Sequence, residues 1–211
     1  MITYPTHEHT NILIDQGYAV VAGVDEVGRG CLAGPVVCAA VILPRDIDLL
    51  GVTDSKLLSR TKRAQLAQNI KSMALGIGIG WVSASAIDQN GLTWSVAQAA
   101  RLALSDTNMS FDAVLLDGHH NFLGDDIVVQ TVVKGDSLCL NIAAASIIAK
   151  VARDNYMRLQ HRQYPDYGFD RHVGYGTAEH LTAIKQRLSP LHRRSFSPVC
   201  KMEVRAFGEF I

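Results

Sequence analysis

The chain has no surplus of charge: 20 Lys and Arg balance 20 Asp and Glu. A nucleic-acid binder of this composition has to gather its basic residues locally, because no global field draws in phosphate. No apolar run approaches the ~20 residues of a membrane-spanning helix. The first ten residues, Met-Ile-Thr-Tyr-Pro-Thr-His-Glu-His-Thr, lack the basic start and apolar middle of a secretory signal, so the expected location is cytoplasmic, with no membrane partner. The four cysteines, Cys31, Cys38, Cys139 and Cys200, form no close pair and no zinc-like spacing. Reduced thiols are the simplest reading. There is no internal repeat, low-complexity tract or linker. With 211 residues, 48% apolar and 19% charged, the chain suits one ordinary globular domain. Residues 1–18 are polar and read as a loosely held segment; 19–211 read as the domain.

What is present is a series of short apolar runs that end in acids. Residues 19–24, Ala-Val-Val-Ala-Gly-Val, read as a buried strand. It runs into Asp25-Glu26 and then Gly28-Arg29-Gly30. Residues 36–43 form a second apolar run, and the short connection favours an antiparallel neighbour. A polar loop, Asp54-Ser55-Lys56-Leu57-Leu58-Ser59, leads into a helix at 60–73. Residues 76–83 alternate glycine with apolar residues, a strand signal with little side chain on one face. Residues 94–104 have helical periodicity. Residues 112–116 and 127–133 read as strands ending at Asp117 and at Lys134-Gly135-Asp136. A long helix follows, about 140–161, opening on the small cluster Ala143-Ala144-Ala145-Ser146. Residues 166–176 form an aromatic, glycine-rich loop, and a last helix spans 178–188.

Carboxylates are rarely buried unless they are paired or bind metal. Each of these acids alone also fits a turn residue or a helix cap. Together, Asp25, Glu26, Asp117 and Asp136 would repel one another if their strand ends met, unless cations held them. That is the arrangement with which two hard divalent cations, roughly 4 Å apart, clamp a phosphodiester during in-line displacement. The two glycines leave bare backbone for a second chain to approach, and Arg29 adds a planar donor suited to phosphate.

The ordered set of motifs resembles bacterial ribonuclease HII, the type 2 ribonucleases H. The matching stretches are 25–30, Gly34-Pro35-Val36-Val37, Asp54-Ser55-Lys56, Asp117-Gly118, 133–136, 143–151, Arg153-Asp154, Tyr164-Pro165 with Tyr167-Gly168-Phe169, Gly174-Tyr175, and Arg194-Ser195-Phe196 with Pro198-Val199. The resemblance implies an α/β, RNase H-like fold: a mixed five-stranded sheet flanked by helices, with a C-terminal helical extension. It implies two Mg²⁺ or Mn²⁺ ions held by Asp25, Glu26, Asp117 and Asp136. The implied substrates are the RNA strand of an RNA–DNA hybrid and a single ribonucleotide embedded in duplex DNA, cut on its 5′ side to leave a 3′-hydroxyl and a 5′-phosphate. Gly28, Arg29, Gly30 and Tyr175 map onto the family's recognition of the junction 2′-hydroxyl, the group that distinguishes RNA from DNA. A monomer is expected.

Two departures stand out. Val173 replaces the family's usual lysine, so a basic contact near the junction is expected to be missing. Asp117-Gly118 is followed by His119-His120, which read as solvated loop residues more readily than as a transition-metal site. Other residues carry two readings. Ser146, Lys150 and Asp154 share one helix face at four-residue steps; they fit either a polar stripe at the phosphate backbone or a Lys150–Asp154 ion pair. Lys56 reads as a phosphate contact. His192-Arg193-Arg194 fits a nucleic-acid patch or a helix-end charge cluster. Two other functions compete: a non-catalytic hybrid-binding protein of the same fold, and an unrelated Mg²⁺-dependent phosphatase that would need neither the Gly-Arg-Gly loop nor Tyr175.

Overall fold

Runs of β-branched residues pair into a sheet because their side chains fit a pleated, half-buried surface. The structure, a computed structural model, describes residues 4–201 apart from 48, 50, 54 and 57. Asp54 and Leu57 of the polar loop and residues 202–211 of the tail therefore lie outside the described residues. The segment expected to be loosely held contains a helix, α1 (Glu8–Asp15). Its Leu13 is buried with Val21, Leu115 and Ile142, and Thr10 donates to Asn141 Oδ1 at 3.1 Å. That contact has no local sequence signature.

Next come β1 (Val21–Val27) and β2 (Val36–Ile42), paired antiparallel as expected. Helix α2 (Arg60–Met73) follows, capped by Ser59, whose hydroxyl accepts from the Lys62 N–H. Then come β3 (Gly76–Val82), α3 (Ala84–Asn90) and α4 (Leu92–Asp106). The sequence reading assigned no element to α3, whose seven residues are too short to show periodicity. Two strands, β4 (Ala113–Asp117) and β5 (Val128–Val132), precede a one-turn helix α5 (Gly135–Leu138) and the long α6 (Leu140–Gln163). The aromatic loop contains a 3₁₀ turn at Pro165–Tyr167 and α7 (Phe169–His172). Helix α8 (Ala178–Gln186) follows.

The sheet order is β3-β2-β1-β4-β5. The β3, β2 and β1 strands are antiparallel, while β1, β4 and β5 run parallel. This is the expected mixed five-stranded sheet flanked by helices. One face packs on α4 through Val96, Ala99 and Ala103. The other packs on α2 and α6 through Leu66, Ile70, Ala143, Ala144 and Ile147. A separate apolar cluster, with Leu32, Met157, Phe169, Val173 and Ile184, joins the C-terminal helices to the second half of α6.

The glycine alternation in β3 has a packing cause. A Cβ on Gly78 would strike the Ala103 carbonyl, and one on Gly80 the Ala99 carbonyl. Helix α4 lies directly on the bare strand. Gly30, by contrast, has open space where a Cβ would go. Gly80→Ala is therefore expected to cost about 3 kcal/mol, the upper range for overpacking, while Gly30→Ala changes stability by less than about 0.5 kcal/mol. Urea unfolding of the two variants checks this, and equal stability would place α4 away from β3.

Candidate metal and nucleic-acid site

Strand β1 extends further than its apolar run, so Asp25 and Glu26 are strand residues whose side chains project to opposite faces. Asp25 is buried on the α6 side; its carboxylate accepts from the Glu26 N–H at 2.7 Å and from the Ser146 hydroxyl. Glu26 faces the other way and accepts from Arg29 at 3.4 Å. The parallel register of β1 with β4 pairs Val24 with Leu116, which brings Asp117 beside Asp25. Asp117 accepts from the Gly135 N–H at 2.7 Å.

Asp136 differs from its expected setting. Strand β5 ends at Val132, and Asp136 sits in the first turn of α5, after Lys134 in a left-handed conformation. It is buried, and Lys56 reaches it at 3.3 Å. Lys56 also lies within electrostatic range of Glu26 and Asp117. It thus stands among the acids rather than apart from them.

The acids burden one another. Burial pushes the Asp25 carboxyl well above its ordinary range, and the charges of Glu26 and Asp117 push it further. Burial raises Glu26, with Arg29 opposing the rise. Burial also raises Asp117, against the hydrogen bond from Gly135. The donors are all hard carboxylate oxygens, the set that a divalent cation such as Mg²⁺ or Mn²⁺ takes. A cation relieves the repulsion and restores the ionised forms, so the donor chemistry fits. Among the described residues no three His, Cys, Asp or Glu side chains already stand in a ligand cluster.

Glu26, Arg29, Asp117, His119, His120 and Phe122 line an open cleft of about 370 Å³. His119 and His120 are exposed, with rings 6.4 Å apart, which suits solvated loop residues. Next to the cleft, the Gly28–Pro35 loop is held from below by two buried guanidiniums. Arg153 donates to the carbonyls of Pro35, Val173 and Ala33 at 2.9–3.0 Å. Arg193 donates to Gly34 and Arg29 at 3.0 Å. Gly28 has φ 93°, and a Cβ there would strike Arg153 and the Pro35 carbonyl. The loop also bonds the Tyr175 segment, since the Leu32 N–H donates to the Gly174 carbonyl at 2.9 Å.

Tyr175 is 39% exposed. Lys150 lies 5.4 Å from its ring centre and Arg153 6.0 Å. Of the two readings of the α6 face, the ion pair is present. Lys150 pairs with Asp154 at 2.9 Å and still reaches the Tyr175 ring. Ser146 bonds Ser55 at 3.0 Å and Asp25, so it supports the acids from below.

One expectation is corrected. The His192-Arg193-Arg194 patch does not exist as a surface. His192 and Arg193 are buried, because the tail folds under the Gly28–Pro35 loop, and only Arg194 is exposed. Position 173 faces inward. Val173 is buried beside Leu32, Ala33 and Met157 and has φ 45°. Sequence reasoning missed the two buried arginines. For Arg153 a signal was available, since Ala149, Arg153 and Met157 fall at four-residue steps on the buried face of α6.

The ribonuclease HII family model matches residues 22–199. The chain belongs to the ribonuclease HII family. A curated ribonuclease HII of Syntrophus aciditrophicus (strain SB) is 50% identical over 184 residues, covering 86% of each chain. The ribonuclease H2 from Pyrococcus horikoshii OT3 superposes with a TM-score of 0.76 at 26% identity, over 88% of this chain and 98% of that one. Bst-RNase HIII in complex with Mn²⁺, at a TM-score of 0.66 and 22% identity over 89% of this chain and 70% of that one, shares the fold. Family membership makes this chain a ribonuclease of the H type, an endoribonuclease. No helix among the described residues is long and apolar enough to cross a membrane.

Raised carboxyl pKa values have a stability consequence. The folded chain binds protons more tightly than the unfolded one, whose aspartates titrate near 3.9. Without metal, these groups therefore cost stability as pH rises from about 4 through the raised values. Asp25→Asn removes that cost. In chelator it is expected to melt a few degrees above wild type at pH 8, with a smaller gain at pH 5. A variant that melts lower than wild type at pH 8 would show that Asp25 is not strained.

Proposed function

We propose that the chain cleaves the RNA strand of RNA–DNA hybrids, and the 5′ side of single ribonucleotides in duplex DNA, to leave a 3′-hydroxyl and a 5′-phosphate. The observation that carries this reading is that the Asp25, Glu26 and Asp117 carboxyls lie within electrostatic range of one another, all raised in pKa, beside bare Gly30 backbone and a half-exposed Tyr175. Asp25, Glu26, Asp117 and Asp136 would hold two Mg²⁺ or Mn²⁺ ions. Such ions, when bound, lower the pKa of a coordinated water and stabilise charge on the scissile phosphate.

The protein's own residues do the rest. Ser146 and the Glu26 N–H fix the Asp25 carboxylate, and the Gly135 N–H fixes Asp117. Preset donors and acceptors of this kind lower the reorganisation needed during reaction. Lys56 stands over Asp136 and can exchange that partner for a phosphate oxygen when duplex arrives. The exposed backbone at Arg29 and Gly30 offers hydrogen-bonding groups to a 2′-hydroxyl, since no side chain shields Gly30. The Tyr175 ring packs on the sugar or base beside the ribonucleotide. Lys150, drawn to its face, places positive charge near the backbone.

Single-turnover cleavage of a duplex with one ribonucleotide, in Mg²⁺, Mn²⁺ or chelator, tests the reading. Asp117→Asn is expected to lose roughly a thousandfold or more, the kinetic equivalent of several kcal/mol. Tyr175→Ala is expected to lose about 10- to 100-fold, in line with ~1–3 kcal/mol of lost stacking. Wild-type turnover by Asp117→Asn, or undiminished cutting in chelator, would remove the metal assignment. Binding without nicking by the wild-type protein would make it a hybrid-binding protein instead.

A further inference from the structure

Three buried histidines stand behind Tyr175, and none of them enters the chemistry above. His172 ends α7, His180 lies on α8, and His192 lies in the tail; all are at most 8% exposed. The rings of His172 and His180 stack at 4.5 Å, and Phe169 meets both edge-on.

Their hydrogen bonds allow one arrangement of protons. The Ser189 N–H donates to His192 Nδ1 at 2.9 Å, so that nitrogen is bare. The Ser189 hydroxyl, also 2.9 Å from that nitrogen, then donates to it, and the Ser189 carbonyl, 3.3 Å away, accepts from the His192 backbone N–H at 3.1 Å. His192 therefore carries its proton on Nε2, which faces His180 Nε2 at 3.1 Å. His180 Nε2 must accept, so the His180 proton sits on Nδ1. There it donates to the Tyr175 carbonyl at 2.8 Å, and a carbonyl can only accept. Both ends of the chain thus require the same tautomers. His172 is fixed separately: the Gly174 N–H donates to its Nδ1 at 3.2 Å, and its Nε2–H donates to the Tyr167 carbonyl at 2.7 Å.

The Tyr175 segment needs such support. Gly174 has φ 91° and Gly176 follows, so the backbone on both sides is permissive. The Tyr175 N–H is held by the His172 carbonyl at 3.0 Å. Its carbonyl is held by the His180 ring and by the Thr177 N–H at 2.9 Å.

We propose that His180, oriented by His192, is a positioning residue for Tyr175: the directed chain from Ser189 through His192 and His180 to the Tyr175 carbonyl aims the ring at the ribonucleotide junction. The proposal rests on the junction role given to Tyr175 above. A proton added to His180 would set two N–H groups head to head across 3.1 Å, and one added to His192 would set its Nδ1–H against the Ser189 N–H across 2.9 Å, so the chain works only when neutral. Burial, the first cause for both rings, lowers His180 and His192 to about 4. The charged and titratable groups around them are Glu179 on α8, Arg194 in the tail and His172 on α7. Arg171 on α7 is paired to Glu179 outside the cluster. Lys150, Arg153 and Asp154 on α6, with Cys31, face the Tyr175 side.

The first test uses the unaltered protein. Long-range ¹H–¹⁵N correlation spectra at pH 7 are expected to show His180 as the Nδ1–H tautomer and His172 and His192 as Nε2–H. His180 and His192 are expected to stay neutral down to about pH 5. An Nε2–H tautomer at His180, or an imidazolium at His180 or His192 at pH 7, would overturn the chain.

The second test compares two substitutions. In His180→Asn the amide nitrogen stands where Nδ1 was and keeps the bond to Tyr175. In His180→Gln it stands where Nε2 was and loses that bond. Single-turnover cutting of one embedded ribonucleotide is expected to fall about tenfold for Gln, the lower end of losing the ring itself, and to stay within about threefold of wild type for Asn. In a Tyr175→Ala background the Gln loss should vanish, because no ring remains to be aimed. Equal losses for Asn and Gln, or losses that multiply with Tyr175→Ala, would make His180 a packing residue. If Tyr175→Ala itself cuts like wild type, the junction reading falls, and the expected tautomers would then describe a core and nothing more.

Discussion

The buried Arg153 guanidinium is the contact on which both the Gly28–Pro35 loop and the Tyr175 segment depend. Among the described residues it has no carboxylate partner at hydrogen-bond distance; its donors meet the carbonyls of Ala33, Pro35 and Val173. A buried charge is costly unless it is hydrogen-bonded. Here three backbone dipoles from two separate loops supply the bonds, so neither loop can move without leaving donors unmet. Arg193 repeats the device one layer over, through Gly34 and Arg29. The consequence is local positive charge beneath the Gly-Arg-Gly loop of a chain whose net charge is zero. Steering of phosphate need not come from surface lysines alone.

The acids pull the other way. Asp25, Glu26 and Asp117 are held close by strand register and by backbone donors, although burial and like charge oppose their ionisation. Such strain persists only where the surrounding structure fixes it. The sheet does so, because Asp25 follows the fully buried Val24 and pairs across to the fully buried Ala39 of β2. Under the proposed metal assignment the unfavourable term would vanish on cation binding, and the free energy released would add to binding.

Much of this was legible in the sequence, and the limits were physical. The strands were readable because burial on both faces demands unbroken apolar runs. Glycine alternation in β3 marked a bare face, although that α4 fills it could not be read from β3 alone. Asp136 was found as an acid after a strand, but its helical setting depends on Lys134 adopting φ 57°, a choice that local sequence does not dictate. Long-range partners were the least readable. Thr10 with Asn141, Ser55 with Ser146, and Arg193 with the Arg29 carbonyl each join residues that only the finished topology brings together. The basic tail failed for the same reason, since a charge run reads as solvated until something is found to fold over it.

Helix α6 ties the two halves of the site together. Its first turns are alanine-rich and lie flat on the sheet, which lets Ser146 reach Asp25. Its later turns leave the sheet and carry Lys150 to Tyr175, Arg153 to both loops and Met157 into the C-terminal cluster. From Ser146 to Arg153 is seven residues, about 10 Å along a straight helix. The separation between the acids and the recognition loops is therefore set by the rise of one helix and not by the flexibility of two loops. A ribonucleotide seated against Tyr175 and the Gly-Arg-Gly backbone would present its phosphate at a fixed distance. Sequence changes within either loop can alter affinity, whereas a shift of α6 against β1, which Gly23 and Asn141 resist by direct backbone contact, would displace the cut.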